Sequence, residues 1–272
     1  MSLAEKLNFK EFSVSFCIMR EKLLIVKNVG TGFTFLLLLT ACGGSSYSVE
    51  QQLSVCSNEV VFNCSYRDLE GANLRLGQFI EADFEKANLA GANLEGANFS
   101  AANLARANLA GVNLKEAILY EANLYEAFLH GANLIGANLE GANLKGANLA
   151  GLNLVRTNLK GANLAGSDLQ QVDLEGVNLE GAVLFMANLT EANLAGANLE
   201  GVDLEGAILY EANLNYANLE RVDLEGANLY MANLVGQNLV GANLAGANLE
   251  MANFFGVNLA GANLGGANLT NS

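Results

Sequence analysis

From Leu74 to Leu269 the chain repeats every five residues, and this period constrains the fold more than any single motif does. Take the large apolar residue of each quintet as its centre: 36 of 40 centres are Leu, and four are Phe (Phe79, Phe84, Phe99, Phe254). Two residues before the centre, 29 of 40 are Ala; one before it, 35 of 40 are Asn or Asp. Of the 29 glycines, 23 stand two residues after a centre. A helix repeats every 3.6 residues and an uninterrupted strand every two, so five fits neither. A short extended segment followed by a corner does fit. Leu and Ala, two apart, point to the same side of an extended chain and can enter one core. Glycine at the corner permits positive φ, and Asn hydrogen-bonds neighbouring backbone.

The quintets Ala-Asn-Leu-x-Gly resemble the pentapeptide-repeat family over residues 67–272. The resemblance implies an all-β fold, a right-handed quadrilateral β-helix with one quintet per side and four per coil. About ten coils at about 4.8 Å each would make a rod near 50 Å long. Each repeat leans on its neighbours, as in other solenoids, and a buried Leu contributes roughly 1.5–3 kcal/mol. The Ala position is the tight one. Val112, Leu152, Val172, Val177, Val202, Val222 and Val257, with polar Thr157, Ser167 and Gln237, are expected to perturb the coil locally. A buried Gln237 needs a hydrogen-bond partner.

Residues 1–61 have a different composition. Arg20, Lys22 and Lys27 precede the apolar run 29–41, which ends at Cys42. A basic flank, an apolar run of about a dozen residues and small residues before a cut describe an export signal. The run is short of the roughly 20 residues that span a bilayer. Leu39-Thr40-Ala41-Cys42 resembles the lipobox of bacterial lipoprotein precursors, and Gly43-Gly44-Ser45-Ser46 follows as a tether. That resemblance implies diacylglycerol on the Cys42 thiol, cleavage before it and often acylation of the new amino terminus. Gly43 after the cysteine points to the outer membrane rather than the inner, by likeness to enteric lipoproteins. The expected organisation is a signal segment over 1–41, a lipidated tether and short cap over 42–61, and the β-helix over 62–272. Within the signal segment, Met19-Arg20-Glu21-Lys22 makes a conventional start, which would leave 1–18 as a misassigned beginning. Ser48-Val49-Glu50-Gln51 has the form of a capping box, from which a short helix could cover the first coil.

Export alters the charge and the thiols. The whole chain carries 14 Lys and Arg against 28 Asp and Glu, a net of −14. Five of those bases and three of those acids precede Cys42, so the exported part stands at −16. Cys56 and Cys64 remain as a pair that an oxidising compartment invites to form a disulfide.

The composition offers no catalytic constellation. His130 is the sole imidazole, the carboxylates recur periodically instead of converging in a cleft, and no phosphate loop, dinucleotide fingerprint or Cys/His metal spacing is present. No enzyme activity, cofactor or metal is expected. An acidic chain also does not bind nucleic acid by neutralising phosphates. With 20-residue coils, Glu180, Glu200 and Glu220 form an acidic row, and Glu205 stacks with Glu225. Ile208, Tyr210, Tyr230, Met231, Met251 and Phe255 form a candidate interaction patch. Smaller outward groups are Ile118, Tyr120, Tyr125, Phe128 and Ile135 with His130, and Val183, Phe185 and Met186. The period runs to the last residues, so the final coil, with Phe254 and Phe255 nearby, is expected to offer an edge for end-to-end self-association.

The function this implies is a lipid-anchored envelope protein whose rod binds or scaffolds an unknown protein partner. The rival is a cytoplasmic DNA mimic that binds and protects a type II topoisomerase, as some pentapeptide-repeat proteins do. An exported chain would never meet that enzyme.

Overall fold

Each quintet has five backbone N–H groups to satisfy, and residues 93–97 illustrate how all five are met. Leu94 N–H donates upward to Asn113 O at 2.8 Å, Gly96 N–H upward to Lys115 O at 2.9 Å, and Asn93 N–H downward to Ala72 O at 2.8 Å. Ala97 N–H closes a tight turn onto Leu94 O at 2.9 Å. The last donor, Glu95 N–H, goes to the Asn93 side-chain Oδ1 at 3.2 Å. This explains the Asn or Asp before nearly every centre and the absence of proline: every position needs its N–H.

The computed structural model describes residues 62–272 and, ahead of them, the strands Val26–Lys27, Thr34–Phe35 and Ser57–Asn58. The first two, β1 (Val26–Lys27) and β2 (Thr34–Phe35), pair antiparallel. So do β3 (Ser57–Asn58) and β4 (Phe62–Asn63), with Ser57 opposite Asn63 and Asn58 opposite Phe62. From Asn63↔Asp83 to Asn248↔Asn268, parallel bridges join residues 20 apart, so four quintets make one coil. The result is a four-sided parallel β-helix. Its sides are named here by their centres: side a (Phe84, Leu104, Leu124), side b (Leu69, Leu89, Leu109), side c (Leu74, Leu94, Leu114) and side d (Phe79, Phe99, Leu119).

Leu and Ala fill the interior, with most centres at or below 1% exposure. The first coils differ because Phe79, Phe84 and Phe99 pack together with centroids 4.9–5.4 Å apart. Phe62 leans on that cluster at 6.0 Å from Phe79. The ring of Phe79 reaches into the small position of its own quintet. A Cβ on Gly77 would lie 2.2 Å from Phe79 Cε2, which accounts for glycine where most quintets carry Ala. At the far end Phe254, Val257, Leu259 and Leu264 are half-buried, and Leu269 is exposed.

The bulky substitutes at the small position are nearly all absorbed. Among the described residues, the bridge series breaks once, between Asn133 and Asn153, next to Leu152. Leu134 N–H and Asn153 N–H lose their ladder partners there. Over-packing is relieved by opening the ladder, at a cost of the order of 1–3 kcal/mol. Leu152→Ala is expected to close this gap, raising hydrogen-exchange protection at the Leu134 and Asn153 amides. Unchanged protection would locate the defect elsewhere. Of the buried polar substitutes, Thr157 Oγ1 donates to Leu134 O at 3.0 Å. Gln237 donates through Nε2 to the carbonyls of Leu214 and Val235, but its Oε1 has no partner. Ser167 Oγ is also unpartnered.

The corners are left-handed throughout. The glycines there have φ of 62–73°, and where another residue stands it still adopts φ of 52–67°. That conformation costs a residue with a Cβ roughly 1–2 kcal/mol. A corner side chain leans toward the corner above it, so Met186 lies 3.5 Å from where a Cβ on Gly206 would be.

Candidate functional site

The outward residues divide into hydrogen-bonded ladders, an acidic edge and apolar strips. Down each side, Asn Nδ2 donates to the Oδ1 of the residue one coil below, as from Asn108 to Asn88 at 2.9 Å and Asn88 to Asp68 at 2.9 Å. Asp can only accept, so it fits where the residue above is Asn. Asn193 above Asp173 and Asn243 above Asp223 both obey this, at 3.0 and 3.1 Å. Asp223 above Asp203 violates it: both side chains can only accept, and the step is held by its backbone bonds alone, Leu204 N–H to Asp223 O at 2.8 Å and Asp223 N–H to Val202 O at 3.0 Å. Asp223→Asn should restore a donor to Asp203 and relieve the like-charge contact, stabilising the rod by about 1 kcal/mol in chemical denaturation. A loss of stability would mean the stacked carboxylates are not opposed.

The acidic row stands at the edge between sides d and a, and cations are set into it. Lys160 pairs with Glu180 at 3.1 Å. Arg221 pairs with Glu200 and lies 3.7 Å from Glu220. Lys160 stands one coil below Glu180, as 20-residue coils require; Arg221 belongs to a corner and reaches both Glu220 and the coil below. Asp203, Glu205, Asp223 and Glu225 continue the acidic surface onto side a. Among the described residues, no group of three or more His, Cys, Asp and Glu could hold a metal ion.

The patch residues fall on sides b and c. Tyr210 and Tyr230 stack one above the other, 5.6 Å between centroids and 9° from parallel. The Tyr230 hydroxyl donates to Met251 Sδ at 3.2 Å. The Glu211 carboxylate beside it holds the Tyr210 phenol above the usual tyrosine range. Ile208 lies beside Tyr210, while Met231 and Met251 occupy the corner between sides b and c. Phe255 stands on side c at 80% exposure, and Tyr216, which sequence reasoning passed over, projects from the corner between sides c and d at 74%. Tyr216 could have been found by asking which corners lack glycine.

The other apolar groups are scattered over several sides. Ile118 and Tyr120 lie on side d, Tyr125 on side a, Phe128 and His130 on side b, and Ile135 on side c. Arg106 bonds Glu126 at 2.8 Å and lies 5.5 Å from the Tyr125 ring centre. The Tyr125 hydroxyl, then Arg106, holds the Glu126 carboxyl below its usual range. Val183 and Phe185 share side a, with Met186 at its corner with side b. Where Gln78, Ile118, Phe128, Val183 and Ile208 replace Asn or Asp, the N–H two residues on (Ile80, Tyr120, His130, Phe185, Tyr210) has no acceptor among the described residues.

Cys64 is fully buried, takes the first inward position of side a and is disulfide-bonded. Its N–H donates to Asp83 O at 2.7 Å. Cys56, Cys42 and the capping box at 48–51 lie outside the described residues, as does the signal segment apart from β1 and β2. Among the described residues no helix is long and apolar enough to cross a membrane.

Comparison with known proteins gives the following. The family model described as pentapeptide repeats matches residues 63–100, 102–141, 142–181, 187–226, 217–254 and 252–272. No curated protein sequence matches the chain. Among solved structures, the chain is similar to HetL, a pentapeptide repeat protein involved in heterocyst differentiation regulation from the cyanobacterium Nostoc sp. strain PCC 7120. Identity is 36%, over 75% of this chain and 88% of that one, with a TM-score of 0.33. It is also similar to QnrB1, a plasmid-mediated fluoroquinolone resistance protein, at 16% identity over 75% and 90% of the two chains, TM-score 0.42. A third is a pentapeptide repeat protein from the Arabidopsis thaliana thylakoid lumen, 32% identical over 38% and 66%, TM-score 0.23. With the family model matching most of a ladder built on 20-residue coils, the chain belongs to the pentapeptide-repeat family and is a right-handed β-helix.

Proposed function

We propose that this protein is a lipid-anchored envelope protein whose β-helix, a rod of about ten coils, binds or scaffolds a protein partner without catalysing a reaction. The observation that carries the reading is the junction at Cys42: basic flank, apolar run 29–41, Leu39-Thr40-Ala41 and then Gly43-Gly44-Ser45-Ser46. Residues 1–41 are the segment removed, 42–61 the acylated tether and cap, and 62–272 the rod. Two or three acyl chains on Cys42 make the attachment stable, where one would be marginal. The outer membrane is the expected address. A filled interior leaves only the outward side chains to do the binding. Because nearly all backbone donors along the sides are taken up in ladders and those left over are single and scattered, a partner must be recognised by side chains and not by adding a strand.

Labelling cells with a radioactive fatty acid tests this directly. The full chain should take up label and fractionate with membranes, and Cys42→Ala should abolish both. If wild type stays unlabelled, the anchor is absent and the acidic rod returns to the cytoplasm, where the topoisomerase-protecting mimic becomes the better reading.

The same reading gives Cys64 a partner. Cys56 is the one other cysteine of the exported part that the anchor leaves as a thiol. We assign Cys56 to that bond. With Cys42 acylated and Cys17 removed, the mature chain then carries no free thiol.

A further inference from the structure

The corner between sides b and c changes character halfway along the rod. Over five coils it is glycine: Gly71, Gly91, Gly111, Gly131 and Gly151. From there on it is Gln171, Glu191, Glu211, Met231, Met251 and Asn271, every one with φ of 54–59°. Among the described residues, no other corner gives up glycine for so many successive coils. All of these residues are held in a conformation that glycine adopts without strain. The outward residues beside the glycine half are Glu70, Ala90, Ala110, His130 and Ala150; beside the other half stand Gln170, Thr190, Tyr210, Tyr230 and Glu250. Strain repeated at one place with nothing in the core to require it is a reason to look for a task there.

The strip has a defined chemistry. Its lower end is acidic, with Gln171 bonded to Glu191 at 3.1 Å and Glu211 facing the Tyr210 hydroxyl. Its upper end is apolar, with Met231 and Met251 at 41% and 46% exposure and the tyrosine stack beside them. The four coil steps from residue 171 to residue 251 span about 19 Å, the length of a helix of about 13 residues. Ridge positions on such a helix recur close to the coil spacing.

We propose that this strip docks an amphipathic helix of another protein. The helix lays its apolar stripe on Tyr230, Met231 and Met251 and sets Lys or Arg side chains against Glu191 and Glu211. The inference rests on the reading of the chain as a binding rod and names the surface and the class of partner. Charge complementarity selects a cationic helix. Flexible thioethers suit a surface that must adapt to an apolar stripe.

The test uses the full chain and a fluorescently labelled helical peptide of Leu and Lys, about 14 residues long, with a Leu and Glu peptide as control. Met231→Gly with Met251→Gly restores the residue found lower on the same corner, so the variant should fold with unchanged or raised thermal stability. Its affinity for the Leu and Lys peptide should fall by at least about tenfold. Glu205→Gln with Glu225→Gln, on side a, should change it by less than about twofold. The proposal is overturned if wild type does not bind the peptide, if both double variants weaken it equally, or if the Leu and Glu peptide binds as well. It is also overturned if wild type dimerises through the strip and excludes the peptide. Each of these leaves the fatty-acid label on Cys42 untouched, so failure here is distinct from failure of the anchor.

Discussion

Leu164→Ala should lower the unfolding free energy by about 3 kcal/mol and the melting temperature by roughly 6–12 °C. Leu164 is fully buried at a centre of side a, with Leu144 and Leu184 one coil below and above it. Deleting its branched end removes transfer free energy and leaves a gap between two ladders that hydrogen bonds hold in place. The Leu164 N–H bond to Val183 O at 2.7 Å and the Asn163 N–H bond to Ala142 O at 2.9 Å keep the coil from collapsing onto the space. In a solenoid each coil is supported only by its neighbours, so a mid-rod lesion weakens two interfaces at once. A loss below about 1 kcal/mol would show that the side can close over the gap, against the rigid-ladder account.

The second large effect is a pair. Gly77→Ala should cost about 1–3 kcal/mol, because the new methyl would meet Phe79 Cε2 at 2.2 Å and Leu74 O at 2.9 Å. The Phe79 ring cannot swing aside easily, being held by Phe84 at 5.4 Å and Phe99 at 4.9 Å. Phe79→Leu alone should also destabilise, by leaving a void beside glycine. Together the two changes recreate the Ala-x-Leu quintet of the other coils. The double variant should then lie well above the sum of the single losses, with a coupling of about 1–3 kcal/mol in a denaturant cycle. Additive losses would separate Gly77 from Phe79 and remove the explanation for the glycine.

These two sites mark what the sequence could and could not reveal. The inward positions were legible because Leu and Ala recur in phase: Leu89 and Ala92 are buried as expected, and so are Thr157, Ser167 and Gln237. The part Asn plays was only half legible. That it touches neighbouring backbone follows from its chemistry. That its Oδ1 takes the one N–H the coil cannot satisfy, while its Nδ2 reaches the coil below, needs the ladder in three dimensions. Perturbation by large residues at the small position was expected at ten places; the bridge series breaks beside Leu152 alone, and beside Gln237 the Leu219 and Asn238 N–H groups also lose their ladder bonds. Valine is narrower and fits within the play of the coil. Pairings such as Arg221 with Glu200 depend on a long side chain crossing coils, and periodicity carries no information on side-chain direction. The strain along residues 171–251 was invisible because a non-glycine corner looks like any other outward residue until its φ is known.

The surface that results is divided. Acids with a few embedded cations occupy the edge of sides d and a; the apolar strip lies toward sides b and c. In the proposed setting this division keeps neighbouring rods apart through charge while leaving a strip free for a partner, with a tether at 42–61 between rod and membrane.

The anchor is the claim on which this setting depends, and the intact mass of the protein extracted from membranes of cells expressing the full chain tests it most directly. The account predicts a chain beginning at Cys42, heavier than its residues 42–272 by a diacylglycerol and, where the amino terminus is acylated, one further acyl chain. A chain that retains residues ahead of Cys42 and carries no lipid mass would contradict it.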